Sequence, residues 1–172
     1  MPDINTAYSW SISTCNASNV GYSQTYRNQQ TVNGITYYDC SSFLCYALKA
    51  GGFDVTGAYQ QALGYPYSGN AITTANERAW LLALGFTQVD INGEWKAGDI
   101  LWRSGHTEMV YSGGTASGRT MGARSSSYPL ADQVSINSSA TPSSRWTSLY
   151  RYGSSPVVEE GISIYVISAI CG

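Results

Sequence analysis

Two residues of this 172-residue chain could between them run acyl-transfer chemistry: Cys40 and the single histidine, His106. Cys40 stands beside the acid Asp39 and opens the apolar stretch CSSFLCYALKA, which stops at Gly51-Gly52, so a helix is expected to begin at the cysteine. Unpaired N–H groups and the helix dipole favour negative charge at such a position, which predicts an accessible thiol of lowered pKa. His106 follows the turn-forming Ser104-Gly105 and heads HTEMVYS, a strand-like run. An imidazole placed there can take the proton of a thiol and return it to a leaving amine. The other cysteines fit that role less well. Cys15 falls on the apolar stripe of an N-terminal helix, Cys171 is next to the end, and Cys45 is rotated about 140° around the helix from Cys40, into the core.

Several classes of function are excluded by what is missing. Catalytic zinc sites draw on two or three imidazoles, and one histidine cannot supply them. There is no HExxH, GxxxxGK[ST], GxGxxG or GxSxG pattern, so the chemistry is expected to need no metal and no cofactor. With 12% charged residues and a net charge of −2, the chain offers no cationic stripe to a nucleic acid. No window approaches the ~18 apolar residues of a membrane span. The N-terminus MPDINTAYSW lacks the basic and apolar regions of a secretory leader, so the protein is expected in the cytoplasm of the producing cell, with reduced thiols, until it meets its target.

The elements that must position the pair can be read from periodicity. Apolar residues at 4, 7, 8, 12 and 15 predict a helix over roughly 4–17. Residues 18–39, rich in Asn, Gln, Gly and Tyr, read as a long surface loop, and 57–70 as a second one. Thr74 and Glu77 form a capping-box signature for a helix through ERAWLLAL, ended by Gly85. Beyond it the period changes to two, and FTQVDI, DILWR, HTEMVYS, RTMGAR, DQVSI and SLYRY read as short strands. Helices first and strands afterwards predict an α+β domain, with the helices on one face of a meandering antiparallel sheet of about five or six strands. Residues 1–152 suit one domain with a single core, and 153–172 read as a linker or an extra edge strand.

YDCSSFLCYALKAGGF followed by AGDILWRSGHTEMVY resembles the cysteine peptidoglycan hydrolases of the NlpC/P60 and CHAP superfamily, most of all their phage endolysin amidase branch. The resemblance covers residues 4–152. It implies a papain-like fold in which Cys40 is the nucleophile and His106 the general base. It also implies a monomer, or part of a larger lysin, that cleaves a cell-wall amide through an acyl-enzyme. The bond is expected to be N-acetylmuramoyl-L-alanine, with a stem-peptide bond or an idle wall-binding module as alternatives.

A third residue should orient the imidazole. In the resembled family it lies on the strand after the one with His106, which points to Gly122 or Ala123, and neither side chain can do the work. Three substitutes stay open: Glu108, on the same strand face as His106, Asp39, and a polar group near Arg124 or Ser125. Tyr38, Asp39, Ser41 and Trp102 are the expected substrate contacts, with the Cys40 N–H as an oxyanion donor.

Overall fold

The computed structural model describes residues 1–64 and 72–153. The chain begins with α1 (Ile4–Cys15), capped by Asp3, whose carboxylate accepts the Asn5 N–H. Three short strands follow, β1 (Val20–Tyr22), β2 (Thr31–Val32) and β3 (Ile35–Tyr38), forming a small sheet in the order β1-β3-β2. The segment expected as a loop therefore carries a sheet. Its hairpin turns at Asn33-Gly34, where φ is 52° and 81°, the left-handed pair that Asn-Gly adopts at least cost.

Three helices come next: α2 (Cys40–Ala50), α3 (Val55–Leu63) and α4 (Thr74–Ala83). α3 occupies the first half of the second expected loop, started by Asp54, whose carboxylate accepts the Gly57 N–H at 2.9 Å; residues 65–70 of that loop lie outside the described residues. The cap of α4 also differs from expectation. Thr73 and Asn76 make the reciprocal capping box, one residue earlier than Thr74 and Glu77, which frees Glu77 to turn into the core.

The second half of the chain supplies β4 (Phe86–Val89), β5 (Ile100–Arg103), β6 (His106–Gly114), β7 (Ser117–Ala123), α5 (Leu130–Gln133), β8 (Val134–Ile136), β9 (Thr141–Pro142) and β10 (Ser148–Tyr152). Asp132 and Gln133, expected in a strand, end the short α5 instead. The main sheet runs β4-β10-β5-β6-β7-β8, with β9 also on β7 and neighbouring strands antiparallel. The fold is α+β, with the helices preceding most of the sheet. It is not a plain meander, because β10 returns to fill the place between β4 and β5.

Alternation along the central strands gives the sheet two different faces. Ile100, Trp102, Met109, Met121 and Ala123 meet Phe43, Leu44, Ala47 and Leu48 of α2 and Trp80 and Leu81 of α4 in the main core. Leu101, Val110 and Leu149 point the other way and gather under Trp95 in a second cluster. A fully buried side chain of this size contributes about 1.5–3 kcal/mol, so both faces hold the central strands in register. Among the described residues no helix is long and apolar enough to cross a membrane. The expected linker or edge strand at 154–172 lies outside the described residues.

Candidate active site

Cys40 is the first residue of α2, and the residues around it build the helix start. Asp39 Oδ1 accepts the Ser42 N–H at 3.0 Å, and the Ser42 hydroxyl accepts the Asp39 N–H at 2.9 Å. The other Asp39 oxygen lies 2.5 Å from Nε of buried Arg27, which also donates to the Ser41 hydroxyl and to the Ile72 carbonyl. Ser41 in turn donates to the Ile72 carbonyl at 3.0 Å. Asp39 and Ser41 are thus internal ties rather than substrate contacts, and Asp39 does not orient the imidazole.

Tyr38 and Trp102, expected as substrate contacts, are packed inside instead. Tyr38 is buried, its hydroxyl accepts from Gln29 at 2.8 Å, and its ring meets Trp10, Phe43 and Tyr46 edge-on. Trp102 is buried on the helix face of the sheet, donates to the Thr74 carbonyl at 2.9 Å and is covered by the Arg78 guanidinium 3.9 Å from its ring centre.

The Cys40 thiol departs from expectation in both exposure and charge. The residue is only 8% exposed. Burial pushes its thiol up to about 12, Asp39 and Glu77 push in the same direction, and the N–H groups of Thr107 and Ser41 at the sulfur offset only part of the rise. Desolvation therefore outweighs the helix start, and the resting thiol is protonated. Cys15 is pushed up to about 12 as well, by burial first and by the charge of Glu108 second. Cys45 is buried in the core, as its helical phase suggests.

His106 meets Glu108 on the other face of the sheet. Its Nε2 lies 2.6 Å from Glu108 Oε2, within hydrogen-bond reach, as the shared strand face predicts. The second carboxylate oxygen accepts from the Thr120 hydroxyl at 2.5 Å and from Asn137 Nδ2 at 3.1 Å. Burial pushes the Glu108 carboxyl up, but the hydrogen bond and charge of His106, the Thr120 hydroxyl and the Arg124 guanidinium together hold it below the usual carboxylate range. Gly122 explains how the carboxylate fits: a Cβ there would stand 3.3 Å from Glu108 Cγ. The strand to which the resemblance assigned the orienting residue instead leaves space for the Glu108 side chain of β6. Glu108 is itself buried.

The His106 ring, with 16% of its side chain exposed, stacks on Trp146 at 5.9 Å and faces a cleft of about 510 Å³. Arg103, Arg124, Tyr128 and Arg145 also line this cleft, and Cys40 does not. Cys40 opens α2 while His106 lines the cleft, and among the described residues no hydrogen bond joins thiol to imidazole. The Thr107 N–H, on the residue next to His106, reaches the sulfur.

Thr107 leads to a residue the sequence reading missed. Its hydroxyl donates to Glu77 Oε2 at 2.6 Å, while Glu77 is wholly buried and its Oε1 has no partner among the described residues. Burial pushes that carboxyl up to about 8. Its position was legible: Glu77 precedes the buried Trp80 and Leu81 by three and four residues, on the same helix stripe. Thr120, Asn137 and Trp146 carried no such local signal, because strand pairing and the closing turn bring them to Glu108 and His106. Among the described residues no three His, Cys, Asp or Glu side chains are grouped to hold a metal ion. No family model matches the chain, and no curated protein matches it.

Proposed function

We propose that this protein is a cysteine amidohydrolase of the bacterial cell wall, with the papain-like arrangement of the NlpC/P60 and CHAP hydrolases it resembles, and that it cleaves the N-acetylmuramoyl-L-alanine amide of peptidoglycan. The observation that carries this reading is the imidazole–carboxylate pair at the mouth of a cleft, one residue away from the peptide that touches the Cys40 sulfur. Glu108 holds Nε2 of His106, which leaves Nδ1 to take the thiol proton as sulfur attacks the carbonyl carbon. Because the resting thiol is neutral, that transfer accompanies attack rather than preceding it. The N–H of Cys40, among the helix donors that have no carbonyl of their own, faces the developing oxyanion. His106 then protonates the leaving amine, and water releases the acyl group from sulfur. Binding of substrate must bring the thiol and the ring together around the start of β6.

A second reading has its own support. The burial of Cys40, its raised pKa and the lack of a hydrogen bond from its thiol to His106 among the described residues suit a wall-binding module that keeps the fold without the chemistry. Turbidity of purified bacterial walls separates the two. The hydrolase clears them and Cys40→Ala does not, while both proteins keep the same circular dichroism. Equal behaviour of wild type and variant, whether both lyse or neither does, overturns the cysteine mechanism. Mass spectrometry of the released fragments identifies the bond, and a new amino terminus within the stem peptide would replace the amidase by an endopeptidase.

A further inference from the structure

The cleft beside His106 gathers positive charge in a chain that has little. The chain holds nine Lys and Arg against eleven Asp and Glu, yet Arg103, Arg124 and Arg145 all line this one cleft. They come from three separate places, the end of β5, the segment after β7 and the turn after β9. The one acid in the lining, Glu108, is already held by His106, Thr120 and Asn137 and offsets part of the charge of Arg124, which leaves the charges of Arg103 and Arg145 without a carboxylate in the lining. Among the described residues, none of the three guanidiniums is ion-paired with a carboxylate.

Converging like charges repel, and a fold that tolerates them has left room for a counter-charge from outside. Arg103 sits over the Trp146 ring at 5.5 Å and Arg124 over the Tyr128 ring at 4.8 Å. A guanidinium set against an aromatic face is held in place while in-plane N–H groups stay available, and that edge matches a carboxylate in bidentate fashion; Arg124 spends one N–H on the Ser135 hydroxyl at 3.4 Å.

We propose that the cleft is an anion subsite for a peptide segment carrying two free carboxylates, which makes an acidic peptide the substrate of the site; this rests on the hydrolase reading for its role and not for the binding itself. A phosphodiester polymer would offer the same charge. It is disfavoured because such chains are tracked by extended basic stripes, whereas neither lysine lines the cleft and its volume of about 510 Å³ suits a short segment.

Calorimetric titration of the full chain as Cys40→Ala tests the subsite apart from catalysis. The probes are an alanine-based tetrapeptide with two glutamates, the same peptide with two glutamines, and poly(glycerol phosphate). The diacid is expected to bind at least tenfold more tightly than the diamide and than the polymer. Arg124→Gln combined with Arg145→Gln should remove that preference without altering circular dichroism, and raised salt should weaken binding of the diacid but not of the diamide. Equal binding of diacid and diamide, no binding of either, or a preference that survives loss of both arginines overturns the subsite. Tighter binding of the polymer overturns its assignment to a carboxylate peptide. Wild-type protein that binds the diacid but leaves walls intact refutes the hydrolase and spares the subsite.

Discussion

Glu77 and Glu108 are two buried carboxyls set against the same strand, and they titrate in opposite directions. Glu77 reaches β6 from α4 on the helix face, has one hydrogen bond, from Thr107, and is pushed up to about 8 by burial. Glu108 projects from β6 into the cleft face, is almost as buried, and is held below the usual carboxylate range by His106, Thr120 and Arg124. Desolvation acts on both. The difference lies in the donors that meet the charged form: three side chains reach Glu108, whereas Glu77 Oε1 meets none among the described residues. One side of the strand therefore holds an anion ready to support an imidazolium, and the other holds a neutral acid beside the thiol.

The largest effect is expected on the charged side. Glu108→Ala should lower kcat/KM for wall hydrolysis by about 10- to 1000-fold, and Glu108→Gln by less, because the amide keeps the shape but not the charge that stabilises the imidazolium. Since Glu108 is buried, the alanine variant should also lose about 1–3 kcal/mol of stability through the stranded Thr120 and Asn137 donors. Unchanged kinetics in both variants would reduce the pair to packing.

A smaller effect, of opposite sign on the two sides, should appear in stability against pH. The Glu77 carboxyl keeps its proton when folded up to about 8 but loses it near 4.5 when unfolded, so stability falls as pH rises through that window. Glu108 behaves the other way: its contribution is present above the unfolded value of about 4.5 and is lost as pH falls through its lower folded value. Melting curves of wild type and Glu77→Gln should therefore diverge by several degrees between pH 5 and 8, with the wild type falling relative to the variant. Parallel curves would show that Glu77 is ionised in the folded state.

The smallest effect concerns the thiol between them. With Cys40 pushed up to about 12, iodoacetamide at pH 6 should label it no faster than a free thiol, contrary to what a helix start alone implies. Glu77→Gln removes one of the charges that raise it, and labelling at pH 9, followed by peptide mass spectrometry, should quicken a few-fold. Rapid selective labelling at pH 6 would restore the preformed thiolate and weaken the contrast between the two faces.

Local chemistry was legible in the sequence wherever neighbours along the chain decide the outcome. The helix at Cys40 ends at Gly51 as expected, His106 heads a strand, and a spacing of two placed Glu108 beside it. The Asn33-Gly34 turn is a local signal too, but the polar, aromatic residues around it mask the period-two pattern of the flanking strands. Tertiary structure decided everything that depends on desolvation or on distant partners. A helix dipole predicts a thiolate at Cys40, but burial first, and the nearby Asp39 and Glu77 second, push the thiol up to about 12. Trp102 is amphipathic enough for a groove, yet the pleat turned it under α4 and left Trp146, 44 residues later, to stack on the imidazole. Residue type and spacing thus determined which side chains can react, because those follow from covalent order. Their protonation and company were set by burial and strand pairing, which depend on segments far apart in the chain.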